Sequence, residues 1–469
     1  MTIRNATPQA TNIHYHGMHV SPKRDHDNVF RTMAPGTTVR STVTLPRDHA
    51  PGTYWYHAHL HPLTEPQVMG GMSGLIVVEG LERLLPRALR GVPQRQIAIR
   101  DLQVDPDAPG QVALSSNEIG LRRPTVRLVN GLLTPQAGLR QGETQLWRLA
   151  NISADVFYDV ELTGHAFTVI AEDGAPRWRV RTVDHLVMPP GKRYDVLVTG
   201  GAPGRHRLRT RAYPQEGFEL LPEAELMTVD VTPGTAAPAP RVPRRLHTPA
   251  RPVSGRRVAR KRTFTFGFDL GHTEYALING RPFDPSVTNA APYVGTVEEW
   301  TLRNTTTEEH PFHIHVNDFE VVEVNGRPHR ADGLQDVVTI PPRDASRRAG
   351  EVVIRIWFRR YTGHFVFHCH ILAHEDHGMM NTVQVRRRGE PRTPPPGGHA
   401  HRPIGSASAA ATPTATAATP TATATAAAAA VPAAGGAPGA ATAGARETAA
   451  ERWARLCRLR ERAARLRLV

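Results

Sequence analysis

The chain has 469 residues, a formal net charge of +14, 40% hydrophobic residues and only 6% aromatics. At roughly 150 residues per domain that length suggests about three domains, and 41 Pro with 39 Gly favour turn-rich β structure over long helices. No run approaches the roughly 18 apolar residues needed for a membrane-spanning helix, and two cysteines, Cys369 and Cys457, exclude a disulfide-stapled scaffold. The basicity lies mostly at one end: from Arg386 onward 13 Arg outnumber four Glu by nine, leaving +5 for the first 385 residues. That tail has no aromatic interleaving and no reading motif, so nucleic-acid binding is not expected.

The chain opens on MTIRNATPQATNIHYHG, strand-like from the start, with no charged n-region, apolar h-region or cleavage site. From Thr2 to about Glu79, the runs TVRSTVTLP, GTYWYHAH and SGLIVVEG alternate with Pro/Gly turns and read as strands of a first domain, residues 1–80. After the break LERLLPRALRGVPQ, residues 95–231 carry QIAIRDLQV, GETQLWRLANIS, HAFTVIAEDG and RYDVLVTG, spaced as in a β-sandwich. Residues 232–260 read as a Pro/Arg-rich linker. Residues 261–385 return to strands in RTFTFGF, TVEEWTLRN, FEVVEVNG, EVVIRIWF, GHFVFHCH and NTVQV. GETQLWRLANIS resembles GTVEEWTLRNTT, and NGLLTP resembles NGRPFDP, which points to a repeated domain type. Residues 386–446 form an Ala/Thr/Pro segment too poor in large apolar residues to pack a core and are expected to be disordered. Residues 447–469 have the period of a short basic amphipathic helix, whose plainer reading is a solvated tail.

Of 24 histidines, eight fall in four strand-like His-x-His pairs: His14/His16, His57/His59, His313/His315 and His368/His370. Residues i and i+2 of a strand share a face, so each pair can present two imidazoles to one metal cluster. One such pair is expected by chance, and His399/His401 in the tail is an example; His61 reads as a loop or outer residue. Four pairs from both ends of the chain need another explanation. Cys369 lies between His368 and His370, so its thiol faces the opposite way and one tripeptide can touch two metal sites. His374, Met379 and, upstream in HPFHIH, His310 complete the imidazole, thiolate and weak axial thioether set of a blue-copper site. Structural zinc would want further cysteines or a compact finger.

HYHG, YWYHAHLHP, HPFHIH and HCHILAHEDHGMM, at the two ends of a chain with a ligand-poor middle, resemble the multicopper oxidases, in particular the three-domain bacterial laccase-like enzymes. The resemblance covers residues 2–385. It implies an all-β chain of three cupredoxin-like Greek-key β-sandwich domains, the first N-terminally short and the middle one a spacer. It implies four copper ions: type 1 on His310, Cys369, His374 and axial Met379, with Met380 the weaker candidate; type 2 on His14 and His313; and two type 3 on His16, His57, His59, His315, His368 and His370. Electrons from a reducing substrate would pass through Cys369 to His368 and His370, and dioxygen would be reduced to two waters. Glu375 resembles the family's proton-relay acid, and Asp27 or Asp25 is the candidate for a second.

Phenols and aromatic amines, with dioxygen, are the expected substrates, and a monomer without a membrane span is expected. A metallo-oxidase of Cu(I), Fe(II) or Mn(II) is a weaker alternative, because there is no Met-rich insert between Asp318 and Ile354; Asp332 and Asp336 are read as loop acids that could bind a cation. A type 1 copper electron-transfer or copper-binding protein without oxygen turnover is the alternative of another class, supported by the short first domain. Family members carry strands and an export signal before the first His pair, so periplasmic, secreted or cell-surface location rests on the resemblance alone.

Overall fold

Segments rich in alternating apolar residues become strands because one face of each can be buried against a second sheet. The computed structural model describes residues 1–103, 125–215, 220–234, 240–246, 248, 252–272 and 274–396. The Ala/Thr/Pro segment beyond residue 396, the stretch expected to form a terminal basic helix, the His399/His401 pair and Cys457 lie outside the described residues.

In the middle of the chain, a six-stranded sheet running from Ala175–Val183 to Thr125–Val129 faces a five-stranded sheet running from His185–Met188 to Gln136–Arg140. Ile97, Trp147, Leu149, Val160, Phe167, Val196 and Val229 fill the space between them. Further on, a six-stranded sheet from Ala276–Ile278 to Arg327–Pro328 faces four strands in the order Val337–Ile340, His310–Ile314, Gly363–Cys369 and Met380–Val385. Their core holds Trp300, Phe312, Phe319, Ile354 and Phe367, together with Cys369 and Met379. The first part is smaller: Thr2–Arg4 pairs with Thr38–Arg40, and His14–His16, Gly52–His57 and Ser73–Val78 form a three-stranded sheet. Of TVRSTVTLP, only Thr38–Arg40 is strand.

The internal resemblances correspond to equivalent positions. Thr144–Asn151 and Val297–Asn304 each run parallel to one neighbour and antiparallel to the other. Trp147 and Trp300 are both fully buried, and each donates its indole N–H to the side chain two residues earlier, Gln145 or Glu298. Each strand ends in the same turn, where Asn151 or Asn304 accepts the backbone N–H of Ser153 or Thr306. Asn5 does the same for Thr7 in the first part. The Asn-Gly pairs of NGLLTP and NGRPFDP have positive φ at Asn130, Gly131, Asn279 and Gly280, as a tight left-handed turn requires.

One boundary differs from the sequence reading. The strand Val258–Phe268 begins inside the stretch read as linker, because VARKR pairs with Val297–Trp300 through its backbone while its charged side chains hide the strand period.

Candidate metal centre

Strand register brings the histidines together. His14 lies opposite His57 on adjacent antiparallel strands, and His313 lies opposite His368. His16 and His313 stack at 3.7 Å between ring centroids, and His14 and His315 at 3.6 Å, so the first and last parts of the chain meet ring against ring. All eight paired histidines are buried. Only His14 and His16 lie together within one strand; His59, His315 and His370 stand just beyond strand ends, where the alternation persists without the ladder.

The facing nitrogens are close. Nε2 of His59 is 3.2 Å from Nε2 of His368 and 3.1 Å from Nε2 of His315, and Nε2 of His370 is 3.2 Å from Nδ1 of His16. An imidazole nitrogen binds a metal at about 2.0–2.1 Å, so two on one ion at a near-tetrahedral angle stand about 3.3 Å apart. Three of the outward nitrogens are tied to acceptors: Nδ1 of His14 to Asp27 at 3.0 Å, of His57 to the Ala58 carbonyl at 2.8 Å, and of His313 to the Asp336 carbonyl at 2.9 Å. That leaves Nε2 of His14, His57 and His313 buried without a hydrogen-bond partner in the protein. Burial, reinforced by the neighbouring rings, holds His14, His57, His315 and His370 well below their usual pKa, and burial lowers His313 as well. Neutral rings with inward lone pairs are what a metal needs.

On the other face of the same strand, Sγ of Cys369 is 3.5 Å from Nδ1 of His310 and 3.7 Å from Nδ1 of His374. The outward nitrogens are again engaged, Nε2 of His310 with Thr306 Oγ1 at 2.9 Å and Nε2 of His374 with Glu308 at 3.4 Å. Burial pushes the Cys369 thiol up, so a thiolate there needs a bound cation. Met379 packs in the same core as Cys369, whereas Met380 packs with Val29, Phe283 and Val366. A thiolate with two imidazoles beside a buried thioether suits copper.

Of the acids, Glu375 is fully buried between the two groups: its carboxylate lies 2.9 Å from Nδ1 of His368 and 3.4 Å from Nδ1 of His59, and it accepts a hydrogen bond from Thr64. Those rings hold it well below the usual carboxylate range, against the cost of burial. Asp27 is buried against His14, and burial pushes it up to about 8. Asp25 faces solvent and accepts from Thr42. Asp332, partly exposed, pairs with the buried Arg177, but Asp336, read as a loop acid, is buried beside His16 and His313. Thr306 and Glu308 are residues the sequence reading missed, since nothing in their spacing marks them; Asp336 was named there only as a loop acid that could bind a cation, not as a partner of His16 and His313. His61 sits edge-on to Phe283 and belongs to none of the metal-competent clusters among the described residues.

Three family models, each described as multicopper oxidase, match residues 1–83, 103–219 and 249–389. "Multicopper oxidase mco" of Staphylococcus aureus is 25% identical over 390 residues, covering 82% of this chain and 78% of that protein. "Laccase" of Bacillus subtilis is 28% identical over 386 residues, covering 74% of this chain and 73% of that protein. Among solved structures, McoA multicopper oxidase from Aquifex aeolicus superposes with a TM-score of 0.70 at 25% identity, covering 82% of this chain and 86% of that one. A multicopper oxidase from Campylobacter jejuni, described as a metallo-oxidase, shares the fold with a TM-score of 0.70 at 24% identity, covering 82% of each chain. With its first, middle and last parts each matched, the chain belongs to the multicopper oxidase family and is a copper-dependent oxidoreductase.

Proposed function

We propose that the chain is a laccase-like oxidase that takes single electrons from phenols or aromatic amines. The reading assigns four coppers: one to His310, Cys369, His374 and Met379, one to His14 and His313, and a pair to His16, His57, His59, His315, His368 and His370. It divides the chain into cupredoxin domains at 1–80, 95–231 and 261–385. The observation that carries it is Cys369, whose thiol meets two imidazoles on one face while the adjacent His368 and His370 meet His59 and His16 on the other.

When bound, copper supplies one-electron oxidation of the substrate and reduction of dioxygen to two waters. The chain supplies the rest. His374 is the ligand nearest the aromatic side chains of Phe268 and Tyr275, and takes the role of contact with a substrate ring. Cys369 is joined to His368 and to His370 by a single peptide unit each, the shortest covalent route between the two groups. Asp27, protonated at neutral pH, holds a proton beside His14. Glu375, as the anion, lies against His59 and His368 and takes the role of a relay that passes protons on without retaining them.

A metallo-oxidase is the second reading, favoured by the Glu308 carboxylate 3.4 Å from Nε2 of His374, where a cationic substrate would be attracted. Oxygen uptake by the copper-loaded chain on a phenol, an aromatic amine, Fe(II), Cu(I) and Mn(II) separates them. A higher kcat/KM on the organic substrates supports the first reading, and a higher value on a metal ion replaces it with the second. Export follows from the family reading, as does a monomeric state; among the described residues no helix is long and apolar enough to cross a membrane.

A further inference from the structure

We propose that Arg193 and Asp336 are a positioning pair, through which the ligand-poor middle of the chain sets the orientation of His16 and His313 for the trinuclear metals. The inference rests on reading those two histidines as ligands. Arg193 opens the strand Arg193–Thr199, and its guanidinium is fully buried. It donates to both carboxylate oxygens of Asp336, each at 2.7 Å, and to the Thr53 carbonyl at 3.2 Å. Thr53 belongs to the strand that ends in His57. One side chain of the middle part therefore ties together the two parts that carry the histidines. Asp173, next to the same site, accepts from the backbone N–H groups of Arg193, Asp336 and Val337 and fixes the pair from behind.

A carboxylate paired on both oxygens with a guanidinium can only accept hydrogen bonds. Nε2 of His16, 3.1 Å from Oδ1 of Asp336, must therefore carry the hydrogen, which leaves the Nδ1 lone pair facing His370. The backbone carbonyl of the same Asp336 accepts from Nδ1 of His313, which leaves Nε2 of that ring facing inward. One residue thus selects opposite nitrogens on two stacked rings. The space is shaped for it: Gly17, directly after His16, has φ +81°, and a Cβ there would collide with the Arg193 guanidinium and the Asp336 carboxylate.

The test is copper loading of the full chain with Asp336→Asn, Asp336→Leu and the double variant Arg193→Met/Asp336→Leu. The double variant removes both charges together, so no orphaned guanidinium limits folding. Copper per chain, the type 3 near-ultraviolet band, the type 2 EPR signal and the blue type 1 band are read together. The expected result is copper affinity at the trinuclear site weakened about 10–100-fold in both Leu variants, the usual effect of losing a hydrogen-bond partner of a ligand, with the blue band unchanged. Asp336→Asn keeps an acceptor oxygen for His16 and recovers most of the type 3 band. Full trinuclear loading in the double variant, or equal loss of the blue and type 3 signals, overturns the proposal. If the unaltered chain shows no trinuclear signals, the ligand reading itself fails, which is a distinguishable result.

Discussion

Nε2 of His59 and Nε2 of His368 stand 3.2 Å apart across 309 residues of chain. Nδ1 of His368 donates to the Cys369 carbonyl at 2.9 Å and Nδ1 of His59 faces the Glu375 carboxylate at 3.4 Å, so each ring places its hydrogen on that side and turns a bare lone pair toward the other. Two lone pairs at that distance repel in a buried site. A shared cation would convert the repulsion into coordination, which is the chemistry this constellation fits.

Cys369→Ser replaces the thiolate with a hydroxyl that is a poor ligand for copper. The blue band should vanish and kcat should fall to below about a thousandth, a barrier increase of about 4 kcal/mol. The type 3 band should persist, because His368 and His370 are unchanged. Absorption spectra and oxygen uptake of the copper-loaded variant check both expectations.

Met379→Leu removes the buried thioether from the core that holds Cys369. A weak axial ligand stabilises the oxidised ion, so its loss should raise the type 1 potential. Redox titration of the blue band measures the shift, and substrates that are harder to oxidise should gain rate relative to easy ones. Met380→Leu, in a different cluster, should leave the potential in place.

Glu308→Gln removes a negative charge 3.4 Å from Nε2 of His374. A carboxylate there favours the more positive, oxidised state of the site, so the variant should also show a raised potential. If cations are the substrates, KM for Fe(II) or Cu(I) should increase more than KM for a neutral phenol. Steady-state kinetics on both classes tests this.

Asp27 is raised by burial from the ordinary 3.8 to about 8. The folded, metal-free chain thus holds this proton more tightly than the unfolded chain. Its contribution to stability is fully present below about pH 4 and is lost as pH rises toward 8, by at most about 1.4 kcal/mol per pH unit. Asp27→Asn abolishes that slope. In urea unfolding of the metal-free protein, the variant should gain on the parent chain between about pH 5 and pH 8; a constant difference would contradict the assignment.

The sequence carried the parts of this site whose geometry is local. Period-two alternation places His368 and His370 on one face and Cys369 on the other without any knowledge of the fold, and the contacts of all three follow it. Most strand runs were legible for the same reason. VARKR was not, because its pairing uses backbone groups while its side chains are charged. Asp336 was not, because a loop acid becomes buried only when Arg193, 143 residues away, reaches it. Arg193 itself looks like any basic residue at a strand start. Asp25 and Asp27 were indistinguishable in sequence; the turn after HYHG buries one and exposes the other. Glu308 and Thr306 meet their histidines through the turn begun by Asn304, whose function is visible only once the rings are placed.

The most direct test is copper per chain in the copper-loaded protein, with its EPR and visible spectra recorded on the same sample. About four coppers per chain, with type 1 and type 2 EPR signals and oxygen consumption on a phenol, is the predicted result. A single copper with only the blue type 1 signal would contradict the four-copper assignment.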